Sequence, residues 1–229
     1  MVWALGEPQH PAATKIGGLP VWPKDQPLPT RGIWGKTALR FLGQFNFEDS
    51  RDLLPELPAG VLSLWITGDF PFWKRSLETF WVDPRDAVVT GRRADEPEIH
   101  EIPATIFHSH IYRTWDPDPA ADQELLSAEV DHQFQSYRRY FPQVIGGTKI
   151  GGLECMPQSL TGRKGETFLC QLASIQPAPN APFPWVNHEE PFTVSNMNHR
   201  ENILMLGDMG AIAFHLGPSG KVRTAFECG

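Results

Sequence analysis

Apolar residues recur in short, separated runs along this chain, which predicts strands rather than long helices. From Leu39 to Phe47 nearly every position is apolar. A period of two would place Leu39, Phe41, Gly43, Phe45 and Phe47 on one face, and Arg40, Leu42, Gln44 and Asn46 on the other. Both faces are largely apolar, as expected of a central strand. Similar runs predict strands at Gly60–Thr67, Glu78–Val82, Ala104–Thr114, Thr167–Ile175, Gly210–Leu216 and Val222–Glu227. Asp83-Pro84 and Pro218-Ser219-Gly220 are turn signals, the first closing a hairpin candidate that begins at Trp73. Glu48–Leu54 reads as a short helical turn ended by Pro55. Only Ala120–Tyr140 carries a long helical stripe, made by Leu125, Val130, Phe134 and Tyr137. The Asp-Pro run at 116–119 precedes it as a helix start, and Pro142 follows.

Three phrases in this pattern occur twice, in one order. Thr14-Lys15-Ile16-Gly17-Gly18-Leu19 returns as Thr148-Lys149-Ile150-Gly151-Gly152-Leu153. Phe41-Leu42-Gly43-Gln44-Phe45 returns as Phe168-Leu169-Cys170-Gln171-Leu172. Gly60-Val61-Leu62-Ser63-Leu64-Trp65 returns as Gly210-Ala211-Ile212-Ala213-Phe214-His215. The expected architecture is therefore α+β and internally duplicated. Two similar antiparallel β-rich halves pack about a pseudo-two-fold axis, with the 120–140 helix between them. The halves are residues 14–67 and 148–228, joined by strands and the helix within 68–145. Each half is too small to bury a comfortable core alone, so residues 1–229 are read as a single domain. The paired glycines predict a tight turn opening each half, with Leu19 and Trp22 directed inward after the first.

Composition narrows the function classes. The formal net charge is −7, and Arg92-Arg93 and Arg138-Arg139 are the only Arg-Arg pairs. Neither nucleic acid nor an anionic membrane is an expected partner for such a surface. Three cysteines, Cys155, Cys170 and Cys228, with no Cys-x-x-Cys, fit a reducing cytoplasm better than a disulfide framework. Residues 1–11 lack the charged start and apolar run of a signal peptide, and no stretch approaches a membrane span. The cytoplasm is the expected location.

Candidate chemistry centres on the repeated phrases. Lys15 and Lys149 sit beside glycine pairs, where open backbone amides and an ammonium suit an anion; the other reading is a structural turn with the lysine stem packed on a tryptophan. No GxxxxGK[ST] phosphate loop is present. Gln44 and Gln171 are amides inside apolar strands and must be hydrogen-bonded, either to backbone or to a ligand. Facing a shared axis, they would frame one cleft, with Asp208 near it. Lys15, Gln44, Lys149, Gln171 and Asp208 are thus the candidate ligand-binding residues. His108 and His110 share a strand face and could ligate a metal, with His132, Asp131 or Cys155 as a third donor, or could simply be half-exposed strand residues. No metal or cofactor is assigned. HExxH, GxSxG, SxxK and GxGxxG are absent. A cysteine nucleophile needs a neighbouring histidine, and Cys170, inside a strand phrase, reads as core.

The segments Lys15–Pro23, Phe41–Asp49, Leu57–Leu62 and Leu206–Phe214 resemble the YwqG-like family of bacterial proteins, a domain family of unknown function, in order and over most of the chain. The resemblance implies an internally duplicated α+β fold and supplies no catalytic residues. Through relatives associated with toxin gene clusters, it implies a partner-binding, immunity-like role. Two departures stand out. Leu206 occupies a place where the family pattern has an aromatic residue, and only 14 residues precede Lys15. Two functions stay open. One is a non-enzymatic binding protein for a protein partner or small-molecule ligand, in which a basic toxin would suit the acidic surface. The other is an enzyme of unknown reaction with a polar cleft between the repeats.

Overall fold

The structure is a computed structural model. It describes residues 2–5, 8, 10–31, 37–67, 77–91, 107–110, 147–156, 158, 161–174, 204, 206–207 and 210–228. The expected helix at 120–140 lies outside these residues, as do Asp208, Asp131 and His132. Among the described residues the fold is antiparallel β-sheet with one short 3-10 helix, Glu48–Leu53.

A six-stranded sheet contains β1 (Val2–Leu5), β2 (Lys15–Ile16), β6 (Arg40–Asn46), β7 (Val61–Ile66), β8 (Leu77–Val82) and β10 (Phe107–His110), in the order β1-β10-β2-β6-β7-β8. Two small ribbons accompany it. One pairs β3 (Val21–Pro23) with β9 (Ala87–Val89), and the other β4 (Thr30–Arg31) with β5 (Thr37–Ala38). The second sheet has four strands: β11 (Lys149–Ile150), β12 (Thr167–Ala173), β13 (Ala211–Leu216) and β14 (Val222–Glu227), in the order β11-β12-β13-β14. Every pairing among the described strands is antiparallel, and short connections join β6 to β7 and β13 to β14. The Asp83-Pro84 signal does make a turn, with the Asp86 amide donating to the Asp83 carbonyl. It leads β9 to β3 rather than closing a hairpin on β8.

The four strands β2-β6-β7-β8 match β11-β12-β13-β14 in register. Lys15 lies opposite Gln44 and Lys149 opposite Gln171; Gln44 lies opposite Ser63 and Gln171 opposite Ala213. Even the irregularity recurs, since the β6–β7 register shifts between Phe41 and Gly43, and the β12–β13 register between Phe168 and Cys170. This bulge corrects the simple alternation expected of Leu39–Phe47. One extra residue switches the strand's faces. Leu39 and Phe41 go to an outer cluster with Trp22 and Trp65, whereas Leu42, Phe45 and Phe47 go to the central core.

That central core lies between the two sheets. Ile16, Leu42, Phe45, Leu62, Leu64 and Ile66 come from the first sheet, and Leu169, Cys170, Leu172, Ile212, Phe214 and Leu216 from the second. Phe45 meets Phe214 edge-on with ring centroids 5.8 Å apart. Removing this apolar area from water, at about 25 cal/mol per Å2, contributes most to holding the sheets together.

Candidate functional site

The repeated Lys-Ile-Gly-Gly phrase forms the same set of bonds in both halves. Gly17 and Gly18 take φ of 76° and 73°, and Gly151 and Gly152 take 66° and 74°, angles at which a Cβ is strained. The Gly17 amide donates to the Leu42 carbonyl at 2.8 Å, and the Gly151 amide to the Leu169 carbonyl at 2.7 Å. These are the carbonyls at the two bulges. The glycine turn therefore closes onto the irregular point of the neighbouring strand. Trp22 is buried beyond the first turn, but Leu19 is exposed on its outer side, as Leu153 is after the second, which corrects the expectation that Leu19 points inward.

The two glutamines lock these turns. Gln44 Nε2 donates to the carbonyls of Ala13 (2.8 Å) and Pro11 (3.0 Å), and its Oε1 accepts from the Val21 amide at 3.5 Å. Gln171 Nε2 donates to the Gly147 carbonyl at 2.7 Å, and its Oε1 accepts from the Cys155 amide at 3.0 Å. Threonines add a matching pair: Thr14 Oγ1 accepts from the Asn46 amide, and Thr148 Oγ1 from the Ala173 amide. Each glutamine thus ties together the chain before and after its Lys-Ile-Gly-Gly turn. Satisfying buried backbone groups in this way avoids a cost of about 1–3 kcal/mol per group.

Nor do the two glutamines share a cleft. Gln44 is on the β6 face that carries Ser63 across the ladder, and Gln171 on the β12 face that carries Ala213. Those faces are opposite to the ones bearing Phe45, Leu62, Leu172 and Ile212, which form the contact between the sheets. Lys15 and Lys149 pair with the glutamines and share their outward faces, both buried. The structure therefore holds the four described candidates as two separate pairs. His108 lies across the ladder from Lys15. Among the described residues no group of three histidines, cysteines or acids could hold a metal ion.

A polar cluster that the repeated phrases did not single out lies in the second half. His215 occupies the place of Trp65, each opposite the aromatic residue at the bulge, Phe168 and Phe41. Trp65 Nε1 donates to Ser63 Oγ at 2.7 Å. The residue corresponding to Ser63 is Ala213, which has no acceptor, and His215 Nε2 instead meets Glu154 Oε2 at 3.1 Å. The Glu154 carboxylate also accepts from the Thr161 amide at 2.8 Å, the Thr161 hydroxyl, and the Gly162 amide at 3.1 Å. Burial pushes its pKa up, but the bonds from Thr161 and then His215 more than offset this and hold it below 4.5. Alongside, Arg223 Nε and Nη2 clasp Glu166, at 2.8 Å for the Nε–Oε1 bond, and Nη2 also donates to the Thr161 carbonyl at 2.7 Å. The guanidinium holds Glu166 at about 2. His215 is 1 % exposed, and its Nδ1 has no hydrogen-bond partner among the described residues.

The concave feature contributed by both halves is elsewhere. A groove of about 450 Å3 lies between residues 55–58, which follow the 3-10 helix, and two turns at one end of the second sheet. Pro55, Leu57 and Pro58 form one wall, and Gly165, Gly217 and Pro218 belong to the other. The walls touch near Gly220, where a Cβ would sit 3.5 Å from Pro58 Cγ and whose carbonyl accepts from Trp81 Nε1 at 3.2 Å.

A family model described as a domain of unknown function, DUF1963, matches residues 14–227, and the chain belongs to that family. No curated protein matches the chain. Among the described residues no helix is long and apolar enough to cross a membrane.

Proposed function

We propose that this DUF1963 member is an internally duplicated, YwqG-like binding protein without catalytic activity, which holds a protein partner or a small ligand in the groove between its two four-stranded units. One observation carries the reading: the groove is lined by residues 55–58 of the first unit and by residues 165, 167, 216–218 and 220 of the second. A concave site shared by two units is a common place for ligands to bind. The matched bonds of Gln44 and Gln171 support it from the other side, because those side chains are engaged in bracing their own turns. An immunity-like role toward a toxin is the partner-binding form that the YwqG-like resemblance favours. The net charge of −7 argues for a protein or small molecule rather than nucleic acid or a membrane surface, and three cysteines without a Cys-x-x-Cys suit the cytoplasm.

Photo-cross-linking in the native cell tests this. A photoreactive residue at Ser219, exposed in the turn beside the groove, should capture one defined partner; the same residue at Val88, exposed on β9, should not. Equal capture from both positions, or none from Ser219 together with no metabolite bound to the purified protein, would refute the proposal.

One observation favours the second reading, an enzyme of unknown reaction. A carboxylate fixing one imidazole nitrogen while the other has no partner is the arrangement of a general base, and Glu154 and His215 have it. His215 is buried in this conformation, so that reading requires a rearrangement that opens Nδ1 to a substrate. Hydrolase activity abolished by His215→Gln with folding intact would establish it.

A further inference from the structure

We infer that the groove takes an extended peptide segment carrying an aromatic residue flanked by carboxylates, so its partner chemistry is opposite to that suggested by the chain's total charge. The inference rests on the groove being the binding place. Arg163 and Lys164 immediately precede Gly165, and Lys221 immediately follows Gly220. All three are exposed, and none has an ion pair among the described residues, although the chain as a whole carries −7. The two turns that hold them are adjacent, and each is closed by a backbone hydrogen bond. The Glu166 amide donates to the Arg163 carbonyl, and the Gly217 amide to the Lys221 carbonyl. Thr167 and Leu216 pair across the ladder between these turns, so three cations cluster at one end of the sheet. The acids nearby are accounted for. Glu166 is held by Arg223, and Glu56, on the far wall, fixes the orientation by leaving a partner's carboxylates to the turn side.

The floor and rim favour an aromatic anchor. Pro55, Pro58 and Pro218 are exposed rings lining the groove, with Leu57 half-buried between the first two. Rigid proline faces and an aromatic side chain meet with little loss of conformational freedom, so the contact area is gained at low entropic cost. Cations at the rim add orientation and encounter rate rather than the bulk of the affinity.

The test uses the full chain labelled with 15N and three capped pentapeptides, Glu-Glu-Trp-Glu-Glu, its Gln analogue and its Lys analogue. The Glu peptide is expected to shift the amides of Gly165, Gly217 and Gly220 and to bind at least ~10-fold more tightly than the Lys peptide at low salt, with the gap shrinking as salt is added. Lys164→Glu with Lys221→Glu, both at exposed sites, should reverse the order. If the Lys or Gln peptide shifts those glycines equally well, the groove reading stands and the acidic partner is refuted. If none of the three shifts them while the protein is folded, the peptide inference falls, and cross-linking from Ser219 decides the groove reading separately. A Glu-peptide preference that survives the double reversal would also overturn the inference.

Discussion

The two halves close the same brace over faces of different chemistry. In the first half, Trp22, Phe41, Trp65 and Phe80 meet edge-on, with ring centroids 5.4 to 5.6 Å apart. In the second half the corresponding face carries Ala211, Ala213, Phe168 and Met156, with His215 where the indole stood and Ala225 where Phe80 stood. The glycine turn, the bulge and the glutamine bonds are unaffected by that exchange. Backbone satisfaction therefore fixes the frame, and the packing on each outer face can vary independently. Where the first half has Ser63 accepting from Trp65, the second has Glu154 bonded to His215.

The largest expected difference between the halves comes from these two rings. Trp65→Ala empties a fully buried indole site and should cost about 3–5 kcal/mol in urea unfolding. His215→Ala removes one of four bonds to Glu154 and should cost about 1–3 kcal/mol. Equal costs would mean that the two outer faces contribute alike despite their chemistry.

Next come the glycines that open the third phrase, Gly60 and Gly210. A Cβ on Gly210 would lie 2.3 Å from the Glu227 carbonyl oxygen and 2.5 Å from that of Leu206, both backbone atoms. Gly210→Ala should cost about 3 kcal/mol. The three atoms nearest a Cβ on Gly60 all belong to the Glu48 side chain, which is exposed and can swing away, so Gly60→Ala should cost under about 1 kcal/mol. Thermal unfolding of the two variants checks the asymmetry.

Much of this frame is legible in the sequence. The strand Val222–Glu227 is marked to its ends, and the repeated phrases point to the turns and the two bracing amides. What is not legible depends on residues distant along the chain or on a one-residue irregularity. The bulge at Leu42 reverses the strand's parity; Gly43 beside it is the one local sign, and Cys170 at the matching place in the second half gives none. Parity also decides where Gln44 and Gln171 point, so the shared cleft expected of them does not form. Glu154 and His215 are far apart in sequence, and nothing local to either predicts the pair. One signal is present: within matched phrases, His215 puts a titratable ring where Trp65 has an indole. The groove has no local signature, because it needs residues 55–58 to meet a turn at 217–220.

A smaller effect is read through pH, to which Asp83 at the end of β8, held at about 2 by Arg85, also contributes. Glu154 is held below 4.5 and Glu166 at about 2 in the folded chain. Groups with depressed folded values stabilise above the unfolded value and lose that contribution as pH falls through the folded one. Stability should therefore be flat from pH 7 to about 5 and decline below about 4.5, where unfolded glutamate takes up protons. Glu154→Gln should lower stability at pH 7 by about 1–2 kcal/mol and flatten the first part of that decline. Urea titrations between pH 3 and 7 read both. A first-half variant such as Trp65→Phe should leave the slope of the acid limb unchanged.

The central claim is that the repeated phrase is a brace in both halves and that recognition belongs to the groove. Unfolding Gln44→Ala and Gln171→Ala in parallel, each also titrated with the Glu peptide, tests it most directly. Each substitution should cost about 2–3 kcal/mol, because backbone partners lose their bonds, three at Gln44 and two at Gln171, and peptide affinity should change less than about 2-fold in the folded fraction. A glutamine whose loss leaves stability within about 0.5 kcal/mol but weakens binding 10-fold would be a ligand residue, and would contradict the account.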